Sequence, residues 1–277
     1  MADIRKNILL TGSTSGIGKV AAVELARQNT DLILPVRNLD KGELLKRQIT
    51  ETTGNTGIHI MECDLASFDS IRKFADEFKK KFSRLDILIN NAGVLEKTRS
   101  ETIDGIETTF GVNHLAPFLM TSLLTDELKA AAPSRIINVA SEMHRYTKMN
   151  FDDPEGKKKY SGWLAYGQSK LANILFTTYL AGLYHENEIA SFALHPGAIG
   201  TGLYRKQNPL LKKLTSLLMK SPRKGIESIV YLALSPDLKG HSGNYFIRKK
   251  TSRPSHYATN EKDAERLWKL SREYTGI

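Results

Sequence analysis

The sequence predicts an α/β fold: a doubly wound, mostly parallel sheet of about seven strands flanked by helices, formed as a single domain. Two patterns predict it. Short apolar runs alternate with helix-length amphipathic segments, the order expected where crossover helices join parallel strands. The first four runs are also near-continuously apolar rather than alternating, as in strands covered on both faces.

The elements follow in order. A first strand over 7–11 leads through a glycine-rich turn into a helix starting near Ile17, and Asn29-Thr30-Asp31 ends that helix ahead of a strand over 31–36. The next helix stops at Thr53-Gly54-Asn55, before a strand over 57–62. Asp64 then stands where a helix N-cap is wanted for the segment from Leu65, and a fourth strand spans 85–90. A helix over 111–132 is closed by Pro133-Ser134, which opens a strand over 134–140. The polar, lysine-rich stretch 150–162 reads as a surface loop before a long helix, and strands over 189–194 and 243–247 complete the sheet.

Composition bounds the function. A chain of 277 residues lies at the upper edge of one domain, here 1–277, and its 40% hydrophobic and 25% charged residues belong to an ordinary globular protein. The net charge of +10 is spread over most helices without a basic run interleaved with aromatics, which argues against nucleic acid as a partner. A lone cysteine, Cys63, excludes an intrachain disulfide and a cysteine-based zinc site and fits a reducing, cytoplasmic setting. No metal-ligand spacing occurs, and no run approaches 18 apolar residues, so no transmembrane segment is expected and membrane contact is at most peripheral.

The first chemical signal is Thr11-Gly12-Ser13-Thr14-Ser15-Gly16-Ile17-Gly18, between the first strand and its helix. Glycines there permit a tight turn and close approach of a pyrophosphate, whose charge sits on free amides at the helix N-terminus. Further on stand Asn91-Ala92-Gly93 after strand four, Asn113, Ser141 after strand five, Tyr166 with Lys170, and Pro196-Gly197 with Ile199 and Thr201 after strand six. With the glycine spacing, these residues resemble the short-chain dehydrogenase/reductase family over nearly the whole chain. The stretches around Arg37, Asn113 and 165–175 look like its retinol dehydrogenase branch and the related protochlorophyllide reductases. The resemblance implies a Rossmann-type domain and an oxidoreductase.

Tyr166 and Lys170 are four residues apart in a helical segment and so share a face. A cation at about 4 Å in an effective dielectric near 20 attracts a phenolate by about 4 kcal/mol, which suits a tyrosine acting as general acid/base. Ser141, at the carboxyl end of a strand, lies where open α/β sheets bind ligands and can polarise a carbonyl, although a turn-capping hydroxyl would look the same. By resemblance, Lys170 also holds the nicotinamide ribose and Asn113 a proton-relaying water.

The end of strand two, Pro35-Val36-Arg37-Asn38, lacks the acid that binds an unphosphorylated adenosine ribose, and Arg37 offers a guanidinium to a 2′-phosphate, so NADP(H) is expected. Lys41 is a second candidate cation, and Asp64-Leu65 resembles the family's adenine-contacting pair. Around 198–222, Leu210, Leu211, Leu214, Leu217 and Leu218 recur at helical spacing opposite Lys212, Lys213 and Lys220. That segment reads as a substrate lid, a core helix or a basic amphipathic contact with a membrane surface.

The expected substrate is a small lipophilic carbonyl or alcohol. Reduction of a conjugated C=C bond, or a non-catalytic NADP-binding regulator, remains open. His114, His144 and His195 adjoin family motifs without a catalytic role, while His144 and Tyr160 are placed by position near the substrate pocket. The resemblance further implies homo-oligomers through the helices bearing Asn113 and Tyr166, and the chain reads without the N-terminal anchor common in the retinol dehydrogenase branch.

Overall fold

The computed structural model describes residues 5–197 and 223–277. Its sheet has eight strands in the order β3-β2-β1-β4-β5-β6-β7-β8. These are β1 Asn7–Leu10, β2 Asp31–Val36, β3 Ile58–Glu62, β4 Ile87–Asn90, β5 Ser134–Val139, β6 Ile189–His195, β7 Tyr245–Ile247 and β8 Lys250–Thr251. All neighbours pair in parallel except β7 and β8. The eighth strand departs from the seven expected. Its two residues follow a turn in which Arg248 and Lys249 both adopt positive φ, 51° and 62°, where glycine or asparagine would have announced a tight hairpin.

Both faces of the sheet are buried, as the apolar runs require. In β1, Ile8 and Leu10 face a core filled by α1 (Gly16–Ala26), α2 (Leu39–Thr53) and α8 (Arg223–Leu234). Leu9 faces the opposite core, made with α3 (Phe68–Lys81), α5 (Ala116–Leu123) and α7 (Gly162–Leu183). Apolar side chains directed both ways along one strand explain why no alternation is visible in the sequence. The carboxyl ends of the parallel strands then share one edge of the sheet, where ligands of such folds bind.

The helix expected over 111–132 is three pieces. After α4 (Thr108–Phe110), residues Gly111–Leu115 form a π-helical turn that continues into α5, and the chain breaks at Leu124 before α6 (Thr125–Ala130). The expected Asp64 cap also moves. Ser67 caps α3, its hydroxyl accepting from the Ser70 amide at 3.2 Å, while Asp64 accepts from the Ala66 amide at 3.0 Å in the preceding turn.

A final helix, α9 (Glu261–Thr275), lies on α7 and the π-turn. Trp268 stacks on Tyr179 at 4.5 Å and meets Phe118 edge-on at 4.9 Å. Among the described residues no helix is long and apolar enough to cross a membrane, and no cluster of histidine, cysteine and acidic residues could hold a metal. The 198–222 segment, with Ile199, Thr201 and its leucine stripe, lies outside the described residues.

Candidate active site

The glycine turn is held from below. The Thr11 hydroxyl accepts from the amides of Asn91 and Ala92, each at 3.0 Å, and the Asn91 carboxamide donates to the Thr11 carbonyl at 2.8 Å. These bonds tie the end of β1 to the Asn91-Ala92-Gly93 bend after β4. Gly12 and Gly16 take φ of 71° and 56°, and a Cβ on Gly12 would stand 2.8 Å from the Ala92 Cα. A Cβ on Gly18 would run into the Gly12 carbonyl. Glycine is therefore needed here for backbone conformation and for close packing.

Thr14, Ser15 and Gly16 are exposed around the start of α1, whose N-cap Ser15 makes no side-chain capping bond. The first-turn amides of α1 thus remain available to an anion. Ser13 is fully buried, yet its hydroxyl has no hydrogen-bond partner. An orphaned hydroxyl beside free amides fits a phosphate that supplies the missing acceptors.

Arg37 follows β2 and is exposed, and among the described residues no carboxylate lies within salt-bridge distance of it. Asn38 caps α2 by accepting from the Lys41 amide at 2.8 Å. A guanidinium released from protein partners at that position suits an anionic group. Asp64 and Leu65 are half-buried at the end of β3, on the same edge.

The π-turn explains the side chain at 113. An extra residue in the turn accompanies an inward Asn113 with no solvent exposure, which accepts from the Val94 amide at 2.7 Å and donates to the Val94 carbonyl at 2.9 Å. The same carboxamide donates to the Ser169 hydroxyl at 3.0 Å, and that hydroxyl donates to the Tyr166 carbonyl at 2.8 Å. Asn113 is thereby joined to the helix of Tyr166 and Lys170 through Ser169, a residue the sequence reading passed over although it lies between the two.

Lys170 is buried. Its Nζ donates to the Val139 carbonyl at 2.9 Å and lies 5.6 Å from the centre of the half-buried Tyr166 ring. Burial pulls the ammonium down to about 8. A Cβ on Gly93 would stand 3.3 Å from both this Nζ and the Asn113 Oδ1, so the bend after β4 abuts both side chains.

Ser141 follows β5 and caps a 3-10 turn, Glu142–Tyr146, its hydroxyl accepting from the Met143 amide at 3.3 Å. At Gly167, beside Tyr166, a Cβ would come 2.9 Å from the Met143 carbonyl, so the Ser141 turn and α7 pack closely. The structure thus brings the glycine loop, Asn91-Ala92-Gly93, Asn113, Ser141, Tyr166 and Lys170 to one edge of the sheet. Pro196 and Gly197, the latter at φ 90°, follow β6 on that edge.

His144 departs from its expected place at the substrate pocket, while Tyr160 is tied into a polar cluster. His144 has no exposed surface: its Nδ1 bonds the Ser141 carbonyl at 2.7 Å and its Nε2 accepts from the Ser255 amide at 3.1 Å, so it holds backbone instead of lining a pocket. Tyr160 donates to Glu107 at 3.0 Å and to the Glu96 carbonyl at 3.1 Å, and burial pushes its phenol up to about 12. His114, wholly buried against Ser271 of α9 at 2.8 Å, is pulled down to about 4 by desolvation. Cys63 is buried, which with the nearby Asp64 pushes its thiol up to about 12 and leaves it unreactive.

The sequence model of a family described as short chain dehydrogenase matches residues 6–211. Retinol dehydrogenase 12 of Mus musculus is 42% identical over 274 residues, 98% of this chain and 87% of that protein. Retinol dehydrogenase 13 of Homo sapiens is 41% identical over 281 residues, covering 98% of this chain and 85% of its own. Among solved structures, an uncharacterized protein from Mycobacterium paratuberculosis superposes with a TM-score of 0.78 at 32% identity, covering 100% of this chain and 97% of that one. A short chain dehydrogenase from Shigella flexneri complexed with NADP shares the fold at a TM-score of 0.70 and 22% identity, over 88% of this chain and 97% of that one.

Proposed function

The chain belongs to the short chain dehydrogenase family and is an oxidoreductase of its retinol dehydrogenase-like branch, and from this premise we propose that it moves hydride between NADP(H) and a lipophilic carbonyl or alcohol, with Tyr166 as the acid/base. The observation that carries the reading is the convergence of Tyr166, buried Lys170, Ser141 and Asn113 beside the glycine turn.

The residues present fit the cofactor. Gly12, Ser13, Thr14, Ser15, Gly16, Ile17 and Gly18 would hold its pyrophosphate, drawing on the α1 amides and the orphaned Ser13 hydroxyl. Arg37 would pair with the 2′-phosphate and the amide-capped turn at Asn38 would sit beside it. Asp64 and Leu65 would flank the adenine, Asn91, Ala92 and Gly93 the ribose side, and Pro196 and Gly197, with Ile199 and Thr201, the nicotinamide. When bound, the cofactor supplies the hydride.

Ser141 donates to the carbonyl oxygen and stabilises the charge that develops there. Tyr166 gives its phenolic proton to that oxygen. The Lys170 ammonium, charged at neutral pH with its value near 8, then stabilises the phenolate left behind. Asn113, fixed to Val94 on both sides of its carboxamide, keeps the floor of this proton path in place. The apolar substrate is supported by the names of the relatives and by the leucine stripe at 210–218. A reducing, cytoplasmic setting is supported by the single buried cysteine. Any homo-oligomer through α5 and α7 must accommodate α9, which already lies across them.

The test is Tyr166→Phe assayed against lipophilic aldehydes, ketones and enones with NADPH. Turnover is expected to fall by about 10²–10⁴-fold while NADPH still binds. Unchanged carbonyl reduction would remove Tyr166 from the chemistry, and activity on enones alone would move the reaction to a C=C bond.

A further inference from the structure

We propose that His144 is a positioning residue for Ser141, fixing the backbone of the serine through a single neutral tautomer held by the segment after β8. The proposal rests on the reading of Ser141 as the carbonyl-polarising group. The Ser141 carbonyl accepts twice from the same residue, from the His144 amide at 3.1 Å and from its ring Nδ1 at 2.7 Å. A carbonyl only accepts, so Nδ1 carries the proton. The other nitrogen, Nε2, accepts from the Ser255 amide at 3.1 Å and must be bare. A second proton on the ring would set two N–H groups against each other.

The rest of the turn is anchored in the same direction. The Tyr245 hydroxyl on β7 donates to Glu142 at 2.7 Å, and Arg145 donates to the Arg253 carbonyl at 2.7 Å. Three residues of the turn that follows Ser141 are thus held by residues 245–255. The hydroxyl of Ser141 must meet a substrate oxygen within a few tenths of an ångström, so a turn free to shift would lose polarisation without losing the fold.

The ring is walled in on every side. Glu142 and Arg145 are on its own turn, His195 is on β6, Tyr245 meets it edge-on at 5.1 Å, Arg253 precedes Ser255, and Tyr166 and Lys170 are the titratable residues of the packed part of α7. Desolvation lowers His144 below the ordinary imidazole value, ahead of the opposing bond to Ser141 and with Arg145 acting in the same direction. The neutral form, and the positioning it gives, persists through the pH range in which an ordinary imidazole is protonated and is lost only as pH falls through the lowered value.

Two measurements test this. Nitrogen NMR on the intact protein is expected to find a histidine locked as the Nδ1–H tautomer and still neutral at a pH where an ordinary imidazole is half protonated, with that resonance missing from His144→Asn. If the resonance that His144→Asn removes is protonated at Nε2, or titrates as a free imidazole, the proposal is overturned, and no turnover is needed to read it. In steady-state assays, His144→Phe is expected to lower kcat about tenfold with KM for NADPH within about twofold. His144→Asn, which keeps a donor near the Nδ1 position, is expected to recover part of the loss. In a Ser141→Ala background His144→Phe should then cost nothing further. An equal loss in both backgrounds assigns His144 to the fold alone and overturns the proposal. A wild-type protein that reduces no carbonyl compound instead sinks the reading of Ser141, whatever the tautomer.

Discussion

The two halves of the site are built by opposite means. The glycine turn is made of backbone: its glycines bring Gly12 against Ala92 and Gly18 against the Gly12 carbonyl, leaving exposed amides and an unpartnered Ser13 hydroxyl. The acid/base half is made of side chains, two of them buried and bonded to backbone carbonyls, Lys170 to Val139 and Asn113 to Val94. A surface of amides can receive a large flexible anion and release it, whereas a proton must be handed over between atoms that do not move. The first half is therefore unsatisfied until a ligand arrives, and the second is satisfied in advance.

The contrast is sharpest at Lys170. Lys170→Met removes a desolvated cation and replaces it with an apolar chain of similar length, so carbonyl reduction is expected to drop by at least about a hundredfold while the melting temperature holds or rises. A fall in both would mean that Lys170 is structural, and the two halves would no longer differ in kind. The intact enzyme should also lose reductase activity as pH rises through about 8. There Lys170 gives up the charge it carries at lower pH, and a kcat profile flat to pH 10 would contradict the lowered value.

Smaller effects belong to the other half. Gly18→Ala forces the turn away from the Gly12 carbonyl and is expected to weaken NADPH binding by about a hundredfold without lowering single-turnover chemistry in proportion. Arg37→Ala should weaken NADPH by about tenfold or more and leave NADH nearly unchanged, read on nicotinamide fluorescence. Ser13→Ala is the mildest. The free protein should keep its stability or gain about 1 kcal/mol, since a buried orphan hydroxyl is removed, while NADPH affinity falls a few-fold. A destabilised Ser13→Ala would show that the hydroxyl is already satisfied.

Much of this architecture is legible in the sequence because it is local. The runs of β1, β2 and β4 are apolar in both directions, and Tyr166 and Lys170 share a helical face by spacing alone. Other parts were illegible for definite reasons. The turn before β8 uses Arg248 and Lys249 in a conformation other residues usually signal, and the π-turn at 111–115 goes with an Asn113 bonded to Val94, a partner 19 residues away. Asp64 looked like a cap because acids cap helices. Ser67, three residues nearer to α3, takes that place instead.

His144 shows where sequence reasoning stops. Its nearness to Ser141 was plain, but its role depends on Ser255, 111 residues further along. By itself the sequence determined the doubly wound sheet, the glycine turn and the identities of the polar groups, because periodicity and motif spacing act over a few residues. Only the tertiary structure decided which of those groups are buried, which carbonyl each one meets and which hydroxyl is left without a partner. Those pairings join residues brought together by the order of strands in the sheet, and a buried polar group has no solvent to substitute for the partner it is given.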